Sequence, residues 1–157
     1  MSGFDYTRAP LPVRPDITAA HARAWRRLGR AGTWLTGAER RAVAAEVRQA
    51  GNCALCADRK TALSPYAVAG RHDDIAALPE AWVEAIHRIA SDPGRLTRTW
   101  FEEVTETLDE SQYVEIVGIV LTVISVDTFC HALGISPPDL PQTEAGEPTR
   151  LRPAAAR

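Results

Sequence analysis

Gly51-Asn52-Cys53-Ala54-Leu55-Cys56-Ala57-Asp58-Arg59-Lys60 is a turn that leads into a short helix, and it carries two of the chain's three cysteines in a Cys-x-x-Cys spacing. Gly51 and Asn52 interrupt a strongly patterned helix that precedes them, and Asn52 is a preferred N-cap residue. Cys53 is then expected in the first helical turn and Cys56 about one turn further in. At a helix start, unpaired N–H groups and the positive end of the dipole favour thiolate over thiol. The flanking Asn, Asp, Arg and Lys predict sulfurs that are accessible. A dithiol so placed reacts with an electrophile and closes to a disulfide.

On the N-terminal side, Thr36-Gly37-Ala38-Glu39 is a capping box that opens a helix from Gly37 to about Ala50. Its small residues, among them Ala42, Ala45 and Val47, allow close approach to other helices. A first helix is expected from about Pro15-Asp16 to Arg30, with Ile17, His21, Ala24, Trp25 and Leu28 at helical spacing. On the C-terminal side Ser64-Pro65-Tyr66 is a breaker, and residues 67–78 read as a loop. Pro79 at a first-turn position opens a helix to about Ser91 with Trp82, Ile86 and Ile89 as its buried stripe. Asp92-Pro93-Gly94 ends it. A further helix is expected over 97–108, with Thr99 and Glu102 as a second capping box. Ser111 is expected to cap the longest helix, about Gln112 to Leu133, which Gly134 and Pro137-Pro138 stop. That helix is apolar almost all round, which predicts the central buried element. No stretch alternates as a strand does. The expectation is an all-α fold, a bundle of about six helices forming one domain over residues 1–157. Residues 1–14 are expected as an extended arm. The Pro-rich tail, 136–157, is expected to be disordered or to lie on another subunit.

The chain has 157 residues and a formal net charge of −2, with its arginines scattered, so nothing points to nucleic acid. Met1-Ser2-Gly3-Phe4-Asp5 lacks the basic start and apolar block of a secretory signal, and the cytoplasm is the default. The longest apolar run, 116–126, is broken by Gly118, Thr122 and Ser125 and reads as too short for a bilayer. Three cysteines without a signal argue against a disulfide framework and leave redox chemistry, metal binding or inert burial. Zinc needs two further ligands. Cys130 and His131 are the only adjacent candidates, and neighbours on a helix diverge by about 100°. No metal and no other cofactor is therefore expected.

Three residues are candidates for a proton relay to the thiols. Glu46 lies seven residues before Cys53. Glu115 is a carboxylate inside the apolar helix, costly there unless bonded or used. His131 lies four residues after Asp127 on one face of that helix, so the carboxylate could orient the imidazole. Each reads more readily as an ordinary ion-paired or surface residue than as a relay. Lys60, one turn after Cys56, could lower its thiol pKa by charge. Trp25, Trp34, Trp82 and Trp100 read as packing anchors. His72 and His87 receive no role.

Leu35-Thr36-Gly37-Ala38-Glu39-Arg40, the run Ala42-Val43-Ala44, and Cys53-Ala54-Leu55-Cys56 resemble the alkyl hydroperoxide reductase D-like and carboxymuconolactone decarboxylase superfamily. The block Tyr113-Val114-Glu115-Ile116-Val117-Gly118, continuing through Asp127-Thr128-Phe129 to Ala132-Leu133-Gly134, is similar to that superfamily's second helix. Ala62-Leu63-Ser64-Pro65-Tyr66 is closest to its alkylhydroperoxidase-related branch. The likeness spans roughly Trp25 to Gly134. It implies a helical subunit that assembles into homo-oligomers and an antioxidant peroxidase with a redox-active disulfide. The implied partners are a small hydroperoxide and a thioredoxin- or lipoyl-type protein reductant. It implies attack by Cys56 and closure by Cys53, whereas the helix-start argument makes Cys53 the more activated thiol; the assignment to Cys56 follows the resemblance. Two departures stand out: the family's relay His is Lys60 here, and its relay Glu is Arg41. A non-catalytic thiol sensor, or decarboxylase-like chemistry, are the alternatives.

Overall fold

The computed structural model describes residues 6–152. The reading of Met1-Ser2-Gly3-Phe4-Asp5 as no secretory signal therefore falls outside the described residues, as does the end of the tail beyond Arg152. Six α-helices make up the regular structure of the described residues: α1 Pro15–Arg27, α2 Gly37–Ala50, α3 Ala54–Thr61, α4 Glu80–Ser91, α5 Arg98–Thr105 and α6 Glu110–Ala132. Two single 3-10 turns, Pro65–Ala67 and Pro93–Arg95, punctuate them. No strand occurs among the described residues, so the protein is all-α.

Local chemistry sets each start. The Thr36 hydroxyl accepts from Glu39 N at 3.2 Å while the Glu39 carboxylate accepts from Thr36 N at 2.8 Å, completing the capping box of α2. The cap of α5 is Thr97, which accepts from Trp100 N at 3.2 Å; the expected box from Thr99 does not form, and Glu102 pairs with Arg98 instead. The cap of α6 is Asp109, which takes Ser111 N and Gln112 N at 2.9 and 3.3 Å. Asp109 displaces Ser111 because its longer side chain reaches two orphan N–H groups at once.

Helix α6 packs against α1, α2 and α4. Ile116, Ile119, Val120, Val123 and Val126 are all at most 1 % exposed, and burying each contributes about 1.5–3 kcal/mol. They join Leu28, Leu35, Val43, Ile86 and Leu108 in one core. The opposite face of α6 is open, with Val114 and Leu121 exposed. The expectation of a helix buried all round holds for one face only. The 23 residues of α6 also reach the length and hydropathy of a bilayer-spanning helix; the run 116–126 understates it because α6 continues a turn or more beyond that run at each end.

The described part of the tail, to Arg152, is hydrogen-bonded to its own chain. Glu144 N donates to Gly29 O at 2.7 Å, and Thr149 N and Arg150 N donate to Gly32 O and Thr33 O. Trp25 Nε1 donates to Asp139 O at 2.8 Å, and Arg41 Nε donates to Pro141 O at 3.1 Å. The turn after α1 thus supplies the acceptors that a Pro-rich segment needs to be held in place. Gly29 is needed there, since a Cβ would strike the carbonyl of Gln142.

Candidate functional site

A second, smaller cluster lies apart from the main core and is built on Cys53, Leu55 and Cys56 with Val68 against it. Cys53 itself is the N-cap of α3 and has an extended backbone. The cap function comes from elsewhere: the Asp73 carboxylate accepts from Ala54 N at 2.8 Å. At the far end Arg95 donates to Ala62 O, Arg59 O and Lys60 O at 2.8, 2.7 and 3.1 Å. An eight-residue helix is marginal alone. Here both its ends are tied by side chains from other segments, which fixes the sulfurs.

Two histidines face those sulfurs. His72, from the loop before α4, places Nδ1 3.5 Å from Cys53 Sγ and 3.6 Å from Cys56 Sγ. His87, from α4, places Nδ1 3.3 Å from Cys56 Sγ. Each ring turns its other nitrogen to a carboxylate. His87 Nε2 is 2.8 Å from Glu46 Oε1, and His72 Nε2 is 2.8 Å from Glu84 Oε2. The second oxygen of Glu46 accepts from Ile75 N and Ala76 N at 3.1 and 3.0 Å, which fastens the His72 loop to α2. Glu84 also accepts from Arg59 Nη1 at 2.9 Å and Trp100 Nε1 at 3.0 Å. The two imidazoles lie 4.3 Å apart, centre to centre.

Burial is nearly complete. Cys53 and Cys56 are 2 % and 4 % exposed, and Glu46 and His87 are fully enclosed. The expectation of accessible thiols is therefore corrected. The polar residues flanking them in sequence point away, because a helix that starts at Ala54 turns Leu55 and Cys56 inward and leaves Ala57, Asp58 and Lys60 outside. Only the His72 arm meets open space. A cleft of about 460 Å3 is lined by His72, Glu84 and Arg59 together with Leu78, Trp100 and Val104.

The electrostatics follow from this arrangement. Burial alone would raise the thiol pKa of Cys56, but hydrogen bonds from His72, His87 and Ser91 outweigh it and bring it down to about 6. Burial would likewise lower that of His72, yet its bonds to Cys56, Glu84 and Cys53 raise it to about 10. His87 is raised in the same manner by Cys56 and Glu46 against its own burial. For Glu84, burial is overcome by His72, Arg59 and Trp100, which bring it to about 2. These directions favour a Cys56 thiolate beside the His72 imidazolium, with the Glu84 carboxylate behind it.

No family model, curated protein or solved structure matches this chain.

Of the expected relay residues, the structure brings Glu46 to the thiols, through His87. It does not bring the other two. Glu115 is ion-paired with Arg40 and accepts from Trp34 N at 2.7 Å, so its charge is taken up at the start of α2. His131 is exposed in the last turn of α6. Its expected partner, Asp127, is held by Arg48 through two bonds of 2.8 Å. Lys60 is exposed, and Arg41 is occupied by the tail. Cys130 belongs to the main core and not to this cluster. The sequence reading passes over His72, His87 and Glu84. One signal was available: Glu84 and His87 stand one turn apart beside the apolar stripe of α4, where a buried imidazole must have polar partners.

Proposed function

We propose that the chain is a dithiol hydroperoxide reductase in which Cys56 attacks and Cys53 resolves. The observation that carries this reading is Cys56 Sγ lying between two imidazoles that are each backed by a carboxylate. This is the arrangement that activates a cysteine nucleophile and keeps a proton donor beside it. The Cys56 thiolate attacks the outer peroxide oxygen, the O–O bond breaks, and the sulfur becomes a sulfenic acid. The alkoxide leaves with a proton from His72, the imidazole that borders the cleft. Cys53, deprotonated by the now neutral His72, attacks the Cys56 sulfur. The S–S bond forms and water departs with the proton returned. A protein dithiol of thioredoxin or lipoyl type then accepts the two oxidising equivalents. Glu46 and His87, deep in the body, act as positioning residues that hold the thiolate.

The sequence resemblance supports the same reading, with the relay supplied by His72 and Glu84 where the family's own positions hold Lys60 and Arg41. The exposed apolar face of α6 supports an assembly of several subunits. The test is hydroperoxide consumption by metal-free protein with a dihydrolipoyl or thioredoxin-type donor. Wild type should turn over and Cys56→Ser should not; equal rates would remove the proposal. A second reading, a thiol sensor without turnover, is favoured by the sulfurs being absent from the cleft wall. It requires a trapped Cys53–Cys56 disulfide after peroxide, with no sustained consumption.

A further inference from the structure

We propose that Cys53, Cys56, His72 and His87 form a four-coordinate site for a divalent transition ion of the zinc type. The inference does not depend on peroxide reduction. It stands on the donor set alone.

The four ligand atoms all lie within 4.8 Å of one another, and all four residues are buried. A tetrahedron with metal–sulfur bonds of about 2.3 Å and metal–nitrogen bonds of about 2.0–2.1 Å has sulfur–nitrogen edges of about 3.5 Å. The observed sulfur–nitrogen separations are 3.5, 3.6 and 3.3 Å. Both histidines offer the same nitrogen, Nδ1, to the shared centre. Both give Nε2 to a carboxylate at 2.8 Å. That is the outer-shell pattern that orients an imidazole ligand and raises its basicity. The ligands come from an N-cap, α3, a loop and α4, and Asp73, Glu46 and Arg59 already fix those segments to one another. Two sulfurs and two imidazoles match the soft-to-borderline preference of zinc rather than that of magnesium or calcium.

Binding exchanges protons for metal: the ion takes two thiolates and two neutral imidazoles, and the protons those groups carried are released. Four protein ligands leave no open position, which is the pattern of a closed site rather than a catalytic one. The ion would therefore mask both sulfurs. A hydroperoxide that oxidised the metal-bound pair would consume two protons and yield the disulfide, one alcohol, one water and the free ion.

The experiment is a cobalt(II) titration of reduced full-length protein, freed of metal by chelation and followed by absorption. The expected result is one equivalent bound, with the visible bands of tetrahedral cobalt and a thiolate-to-cobalt charge-transfer band, both erased by one equivalent of zinc. Cys53→Ser should abolish the charge-transfer intensity from one sulfur. Glu84→Gln, which touches no metal, should weaken affinity about 10–100-fold. His72→Gln serves as the second ligand variant, since His72 lies at the cleft margin, and circular dichroism monitors folding of each variant. Octahedral cobalt spectra in the wild type, or binding unchanged in both Cys53→Ser and His72→Gln, would overturn the proposal. Peroxide turnover is measured separately on chelated protein, so either reading can fail while the other stands.

Discussion

Cys56 and Cys130 are the same residue type, 4 % and 1 % exposed, and their surroundings push the two thiols in opposite directions. Burial raises the Cys130 thiol above its ordinary range, and the nearby Asp127 charge adds to that. Around Cys56 the same burial is overcome by two imidazoles. Depth in the fold does not decide whether a sulfur is reactive; what decides is whether cationic donors are buried with it. A His or Lys at the wall of the core can therefore matter more than exposure.

The largest expected effect breaks the comparison outright. Cys56→Ser should lower hydroperoxide turnover by at least about 100-fold, as loss of a nucleophile and its acid–base partner does. Cys130→Ser should leave the rate within a factor of two or so, a scale within the small effects of sites away from the chemistry. A steady-state assay on chelated protein decides between them. A comparable loss in Cys130→Ser would erase the contrast.

The next effect sharpens the role of the buried arm. Glu46→Gln keeps the size of the side chain but loses the charge opposite His87 and weakens the acceptor of two backbone N–H groups. Denaturant unfolding should show a loss of about 1–3 kcal/mol. A stability equal to wild type would mean that Glu46 does not hold these elements together.

A smaller effect is read in pH. Turnover needs Cys56 as thiolate and His72 as imidazolium. The first condition holds above about pH 6 and the second below about pH 10, so under the proposed reaction the metal-free protein should show a plateau between those values. The two limits belong to the coupled pair rather than to either residue. His72→Gln should move the acidic limb upward, because the donor that lowers the thiol is gone. An acidic limb that stays put would assign the lowering to His87 alone. The smallest effect is on Asp73→Ala, which removes the borrowed cap of α3. It should cost about 1 kcal/mol by thermal or denaturant unfolding, with no change in Cys130 reactivity.

Most of the scaffold was legible in the sequence because its signals are local. The Thr36–Glu39 box, the Gly51 turn, the Pro79 start and the Gly134 stop each act within a few residues. The short cap displacements, Thr97 for Thr99 and Asp109 for Ser111, are differences in side-chain reach that spacing alone leaves open. The cysteine pair was legible as a motif. Its surroundings were not, because His72 and His87 reach it across 16 and 31 residues. Glu46 was named for its spacing to Cys53, yet it reaches the thiols through a bond to His87, 41 residues away. Glu115 was misleading for the same reason: a carboxylate in an apolar helix demands a partner, and its partner is Arg40, 75 residues away. The tail was legible as irregular but not as docked, since its acceptors sit in the turn after α1.

The most direct test is the alkylation rate of each cysteine against pH in metal-free, reduced protein, resolved by peptide mass spectrometry. Cys56 should react at half its maximal rate near pH 6, well below Cys130, which should require alkaline pH. Cys56 reacting only in the alkaline range, in step with Cys130, would contradict the account.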